Sequence, residues 1–212
     1  MNAGGSERLA LVSIVMWFAA TSARPFGIWI SLGGTAVALG VAIWVLDRTA
    51  MASLLRPSLK LVLLGLTAGG AMTVATYLLY PVLSRMLPVI VADTERLYAA
   101  FRVTSPLIAF VALFPVIFSE EMVWRGVVQN AISHRFGAQN RVRVQVIIAL
   151  VTLIYALVHA PLGSPVLFAA ALGCGLVWST LRAVTGSLIP SLVAHLVWNG
   201  LVLVWLPLDA AR

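Results

Sequence analysis

The chain has 212 residues, of which 61% are hydrophobic and only 10% are charged, and its formal net charge is +7. Soluble domains carry about 25% charged residues, so this composition excludes an ordinary soluble domain and indicates a protein whose solvent is lipid. The length allows one compact bundle, and we expect a single transmembrane domain over residues 1–212.

Apolar stretches of roughly 17–25 residues predict membrane-spanning helices. Proline, glycine and charged residues mark the connections between such stretches, for example Arg24-Pro25 and the segment 47–57. The candidate spans are residues 9–23, 28–46, 61–83, 105–133, 144–160, 166–184 and 189–206. We therefore predict an all-α membrane protein, a polytopic helical bundle of about seven transmembrane helices.

The segment DTERLYAAFRV, after the third span, has a different pattern. Asp93 or Thr94 could cap the start of a helix. Leu97, Ala100 and Phe101 would then lie on one face. This amphipathic pattern indicates a short helix at the membrane surface, with an ordinary loop as the alternative.

The basic residues lie singly or in small groups between the apolar runs, and 13 of the 14 are arginine. This placement favours positive loops at a cytoplasmic membrane face rather than a nucleic-acid partner. With seven spans, eight basic residues in loops and flanking segments lie on one side and five on the other, which places the N-terminus in the cytoplasm. The larger set is Arg8, Arg48, Arg56, Lys60, Arg135, Arg141, Arg143 and Arg182, and the smaller is Arg24, Arg85, Arg96, Arg102 and Arg212.

The only cysteine, Cys174, lies within an apolar run. A disulfide within the chain and a zinc site built from several cysteines are therefore excluded. We expect Cys174 to pack as a small hydrophobic side chain.

Two of the seven acidic residues, Glu120 and Glu121, are adjacent inside the fourth span. Ionisable side chains in a membrane are costly and usually mark a function. Glu121 and Arg125 are four residues apart, so they share a helix face and can pair. Glu120 points about 100° away and remains free to act as a general base. A purely structural ion pair is the alternative.

Two further pairs of polar residues lie four residues apart in later spans. Tyr155 and His159 share one face of the fifth span, and His195 and Asn199 share one face of the seventh. His159 could share a water molecule with Glu120. Histidine and asparagine donors that point to one place suit a developing oxyanion, although interhelical hydrogen bonds would also explain them.

In this order and on separate spans, Glu-Glu-x-x-x-Arg, aromatic-x-x-x-His and His-x-x-x-Asn resemble the CAAX protease and bacteriocin-processing family. Its members are intramembrane glutamic proteases, among them the Ras-converting CaaX endopeptidase and bacterial myxosortase-like proteins. The resemblance covers about residues 105–206, which we take as the catalytic core, and Tyr155 stands where phenylalanine is commoner.

The resemblance implies a role for each matched residue. Glu120 corresponds to the glutamate that activates the attacking water, with His159 as its partner. His195 and Asn199 correspond to the pair that stabilises the tetrahedral oxyanion. The supporting residues are Glu121, Arg125 and Tyr155.

From the residues and the resemblance we expect an endopeptidase that cleaves a membrane-associated peptide or protein near the bilayer surface. A bacterial leader peptide or C-terminal sorting signal is the favoured substrate, and the bacterial inner membrane the favoured location. No cofactor is expected, although a metal held by Glu120, His159 and His195 is chemically possible. The alternative function is non-enzymatic, as a proton-coupled transporter or as an immunity or scaffold protein.

The depths of the polar residues conflict with a shared site. At about 1.5 Å per residue, Glu120 and His195 lie roughly 8 Å from the cytoplasmic ends of their spans. By the same measure His159 lies about 24 Å along the fifth span. Convergence then requires that the fifth helix start outside the membrane or tilt strongly, or that the predicted boundaries be wrong.

Overall fold

The computed structural model describes residues 3–23, 27, 29–102, 105–137 and 140–208. These ranges contain helices and turns and no strand, so the predicted all-α class is confirmed. The predicted boundary at Arg24-Pro25 and the terminal Arg212 lie outside the described residues.

Nine helices, besides a short 3-10 turn at Ala160–Leu162, make up the described part of the chain. They are α1 Ala3–Ser22, α2 Trp29–Leu46, α3 Arg48–Leu54, α4 Leu59–Met86, α5 Val89–Phe101, α6 Pro106–Phe136, α7 Arg141–Leu157, α8 Pro165–Thr185 and α9 Ile189–Trp205.

Local sequence signals account for many of the helix ends. Ser58, Asn140 and Ser164 cap the starts of α4, α7 and α8 by accepting a hydrogen bond from a backbone N–H of the first turn. Gly137 and Gly186 follow the last residues of α6 and α8 with φ angles of 68° and 69°. Glycine adopts this left-handed region without steric cost, so each ends its helix with a sharp turn.

A helix lies at each of the seven predicted spans to within a few residues, with the exception that α1 begins six residues earlier than predicted. The helix α1 is not among those that are long and apolar enough to cross a membrane. Five helices are long and apolar enough to cross a membrane, namely α2, α4, α6, α7 with its following turn, and α8. The helix α9 is apolar but shorter. With these helices, the chain is a multi-pass membrane protein.

Contacts between connecting segments fall at two opposite ends of the bundle. At one end, which we call the Leu54 end, Ser187 Oγ and Leu188 N donate to the carbonyl oxygen of Leu54 at 3.0 and 2.9 Å. At the other, the Tyr98 end, the segments 87–102, 158–164 and 206–208 are joined by hydrogen bonds of α5. Alternation of connections between two ends is what successive membrane crossings produce.

The most extensive helix packing in the described part of the chain is between α4 and α9. A Cβ on Gly65 would lie 2.6 Å from Val193 Cβ, and a Cβ on Gly69 would lie 2.8 Å from Val197 Cβ. Small residues four apart let two helix backbones approach closely, which is how membrane helices gain packing contacts. This contact supports the helix that carries His195.

Two segments differ from the predictions. The surface helix begins at Val89, not at Asp93 or Thr94, because Pro88 can start a helix without a hydrogen-bond donor. Asp93 and Thr94 are therefore buried inside α5 and do not cap it, and Ala100 is exposed. The predicted connection 47–57 contains the additional short helix α3.

Candidate active site

Glu120 and Glu121 lie in the middle of α6, where the helix widens. Residues Met122–Val128 directly after them form a π-helical segment, a distortion that is frequent at functional sites. The helix α2 packs against α6 at this level, where a Cβ on Gly40 would overlap Ser119 Oγ. Both glutamates are buried, with 9% and 1% of their surface exposed.

Arg125 pairs with Glu121 as the spacing predicts. Its Nη1 donates to Glu121 Oε1 at 3.4 Å. The guanidinium is completely buried, and its Cζ lies 4.7 Å from the ring centre of Tyr155 and 5.2 Å from that of Trp178. Aromatic faces attract a cation, so the two rings and the carboxylate together stabilise a charge at membrane depth.

His195 contacts both glutamates. Its Nδ1 lies 2.9 Å from Glu121 Oε1, and its Nε2 lies 3.5 Å from Glu120 Oε2. The ring of Trp178 stacks on the imidazole with 3.7 Å between the ring centres. Arg125 pairs with Glu121, as predicted, while His195 arrives from α9 between the two carboxylates and links Glu120 to this pair. The helical spacing of α6 alone cannot show this link.

His159 lies just beyond the last residue of α7. Its Nδ1 donates to the carbonyl oxygen of Tyr155 at 2.7 Å, because a carbonyl can only accept. In the neutral imidazole this leaves the lone pair on Nε2, which can accept a proton. The rings of Tyr155 and His159 form an edge-to-face contact with 4.7 Å between their centres, so Tyr155 holds His159 through its backbone carbonyl and its ring.

At least one polar residue of each of the three motifs faces one cavity of about 690 Å³. Among its lining residues are Glu120, Tyr155, His159, His195 and Asn199. Most of the remaining wall is apolar and comes from α4, α5, α6, α8 and α9. The spatial convergence that the sequence argument requires is therefore present.

The apparent conflict in depth between Glu120 and His159 disappears when both are measured from the connection between α6 and α7. The helices α6 and α7 are antiparallel neighbours joined by the connection after Phe136. Glu120 precedes Phe136 by 16 residues and His159 follows Arg141 by 18. At about 1.5 Å per residue these are roughly 24 and 27 Å, so both residues lie at nearly the same height. The estimate of 8 Å for Glu120 was too short.

Sequence reasoning missed the aromatic residues around the site. Trp17 of α1 lies 5.7 Å from the ring of Trp124 and 6.4 Å from that of His159. Trp178 of α8 stacks on His195. All three tryptophans are buried, but they come from distant parts of the chain and show no common spacing with the motifs.

Cys174 is buried at 6% exposure, as expected of a packed hydrophobic side chain. Within the described ranges, no group of three or more His, Cys, Asp or Glu side chains converges on a potential metal site. The metal alternative therefore rests on residue types alone.

A polytopic membrane bundle with buried glutamates and histidines around one cavity defines the class of protein, an integral membrane protein with an intramembrane polar site. The family model of the Rce1-like type II CAAX prenyl endopeptidases matches residues 102–201, slightly less than half of the chain, and this part of the chain is similar to that family. The resemblance found in the sequence is thereby confirmed, and the match supports protease activity of the CAAX type in general.

Neither a curated protein nor a solved structure matches the chain significantly.

Proposed function

We propose that this protein is a glutamic intramembrane endopeptidase, in which Glu120 and His159 activate a water molecule that hydrolyses a peptide bond near the membrane surface. The observation that supports this most directly is that Glu120, His159, His195 and Asn199 line one cavity. A general base and hydrogen-bond donors around one reacting carbonyl are what peptide hydrolysis needs.

In the proposed reaction, the carboxylate of Glu120 takes a proton from water as its oxygen attacks the scissile carbonyl carbon. Nε2 of His159 holds the same water by accepting its second hydrogen. His195 and Asn199 donate hydrogen bonds to the resulting oxyanion. The carbon–nitrogen bond then breaks, and the proton on Glu120 passes to the leaving amine.

The supporting residues fix the orientation of His195. Glu121 accepts a hydrogen bond from Nδ1 of His195, and Arg125 neutralises the charge of Glu121. His195 in its doubly protonated form can then present Nε2–H to the oxyanion. Glu121 and Arg125 therefore position the site without touching the reacting atoms.

For the substrate, we propose a bacterial leader peptide or a C-terminal sorting signal that is associated with the membrane, and for the location the bacterial inner membrane. The cavity wall is mostly apolar, which suits a substrate that enters from the lipid. The matching family is described as CAAX prenyl endopeptidases. A prenylated peptide is therefore the alternative substrate, to be compared with the bacterial peptides.

Replacement of the proposed base, Glu120, or of its partner His159 tests this mechanism. Glu120→Ala, Glu120→Gln and His159→Ala should each abolish cleavage of co-expressed candidate substrates, because the water then loses its base or its second partner. General base catalysis contributes about 10²–10⁴-fold, so the loss should be at least of this order. The measurement is the ratio of processed to unprocessed substrate by mass spectrometry, with a prenylated peptide in parallel.

The matched control is Glu95→Gln, a change at an exposed carboxylate of α5, which should leave cleavage unchanged. Unaltered processing by Glu120→Ala would exclude the protease mechanism and leave the transporter or scaffold function. Addition of a chelator to the wild-type protein in the same assay should have no effect, since the proposed water activation requires no metal. Loss of cleavage that zinc restores would instead favour the metal mechanism.

A further inference from the structure

The helix α5 lies outside the matched region 102–201 but forms part of the cavity that contains the catalytic residues. Ile90, Leu97 and Phe101 of α5 line this cavity. Their spacing of seven and four residues places them on one face of the helix. All three are half-buried and line the cavity, so this face is directed into it.

One end of the α5 wall is fixed by Asp93. Its Oδ2 accepts hydrogen bonds from Ser164 Oγ at 2.7 Å and from the backbone N–H of Val166 at 2.9 Å. These residues begin α8, directly after the turn that follows His159. Asp93 is 2% exposed, so two hydrogen bonds to a buried carboxylate hold α5 at a fixed distance from the His159 turn.

The other end is fixed by Tyr98. Its hydroxyl donates to the carbonyl oxygen of Val202 at 2.7 Å and accepts from the backbone N–H of Leu208 at 2.9 Å. Burial raises the pKa of Tyr98 to about 12, so the hydroxyl keeps its proton at physiological pH. Val202 follows Asn199 by three residues, and α5 is thus tied to the helix that carries His195 and Asn199.

The aromatic ring of Phe101 packs edge-on against Trp29 of α2, with 6.0 Å between ring centres. Both residues line the cavity, so this contact forms part of its boundary at the end of α5. The volume of about 690 Å³ falls within the range of about 300–1,000 Å³ that is typical of ligand pockets. It can hold several side chains of an extended peptide.

A peptide whose scissile carbonyl lies at Glu120 and Asn199 must place its neighbouring side chains within this same cavity. We propose that α5 is the specificity wall of the active site, and that Ile90, Leu97 and Phe101 contact bulky apolar side chains next to the scissile bond. The substrate class is then a peptide with large aliphatic or aromatic residues at these positions. The inference rests on the proposed protease function.

The test compares cleavage preferences, not rates alone. The purified protein in detergent is incubated with a synthetic decapeptide library in which the two central positions carry all residues, and cleavage sites are mapped by mass spectrometry. For Leu97→Ala and Phe101→Ala, we expect the kcat/KM ratio between tryptophan and leucine substrates at one subsite to rise at least tenfold. Val91→Ala is the matched control, since Val91 lies on α5 but does not line the cavity.

Suppose that cleavage depends on Glu120 but that Leu97→Ala and Phe101→Ala reduce it equally for all peptides. This result would contradict the proposed role of α5 in specificity and leave the protease function intact. Absence of any Glu120-dependent cleavage would count against the protease function itself. In that case, a second measurement tests whether α5 contacts the peptide. In a Glu120→Gln background, a photo-crosslinking amino acid at position 97 should capture the apolar library peptides, whereas one at position 91 should not. Equal capture at both positions would also contradict the proposed contact between α5 and the peptide.

Discussion

At the scale of single residues, the least expected feature is a connected network of charges within an apolar bundle. Three side chains, Arg125, Glu121 and His195, are exposed by 1% or less. Glu121 lies between the other two and contacts both of them. A buried ion pair is costly to form, and removal of one partner leaves an uncompensated charge. The network therefore gives the site a fixed geometry more than it gives the protein stability.

This reasoning predicts an asymmetry between single and double variants. Arg125→Met should lower the free energy of unfolding by about 3–5 kcal/mol, because Glu121 loses its cation. The double variant Glu121→Gln, Arg125→Met should recover most of this loss, since no buried charge is left unpaired. Thermal unfolding in detergent measures both. A double variant less stable than Arg125→Met alone would contradict the explanation.

At the scale of helices, the packing of α4 against α9 determines where His195 and Asn199 lie. The glycines that allow it, Gly65 and Gly69, were not predicted, because their significance depends on which helix they meet. Small residues in a membrane helix predict close packing, but they do not show which helix packs against them. The tertiary structure supplies that partner.

Replacement of these glycines tests the contact. Gly65→Ala and Gly69→Ala should each destabilise the protein by about 1–3 kcal/mol and reduce cleavage, because the new methyl group would force α9 away. Gly70→Ala is the matched control, since no atom lies within 4 Å of its added Cβ. Melting temperatures of the three variants provide the comparison. Equal effects at Gly69 and Gly70 would exclude close packing as the cause.

The surface helix α5 provides a second test at this scale. Asp93→Ala should lower stability by about 1–3 kcal/mol, because the buried hydroxyl of Ser164 and the partly buried N–H of Val166 lose their acceptor. Hydrogen exchange should rise in α5 and in the first turn of α8. Arg96 pairs with Asp93 at 3.3 Å but is 70% exposed, so Arg96→Ala should cost less than about 1 kcal/mol. Unchanged exchange in Asp93→Ala would show that α5 is held by its apolar contacts alone.

At the scale of the whole molecule, the distribution of charge relates the two ends of the bundle to the membrane. The described basic residues at the Tyr98 end are Arg85, Arg96 and Arg102, whereas the larger set lies toward the Leu54 end. Positively charged loops favour the cytoplasm. The Leu54 end should therefore be cytoplasmic and α5 should lie at the opposite surface.

Cysteine labelling can test this orientation, because the natural Cys174 is buried. Ser53 in α3 and Ala99 in α5 are both exposed. In intact spheroplasts, a membrane-impermeant maleimide should label Ala99→Cys, whereas Ser53→Cys should react only after permeabilisation. The reverse pattern would show that the protein is inserted in the opposite direction, and would place α5 in the cytoplasm.

The sequence by itself determined the all-α membrane class, the approximate spans and the pair Glu121–Arg125. Hydrophobic length and helical spacing are local properties, and they are sufficient for such features. The motifs also identified the part of the chain that the family model matches. The roles of Glu120, His159, His195 and Asn199 in catalysis stay predictions.

Only the tertiary structure decided how these motifs meet. The contact of His195 with both glutamates, the stacking of Trp178 and the wall formed by α5 join residues that are distant along the chain. In lipid, helix association depends on close packing and on interhelical polar contacts, not on a hydrophobic pattern. The pattern of one span therefore cannot specify its neighbours, and the shape of the cavity appears only when all helices are in place.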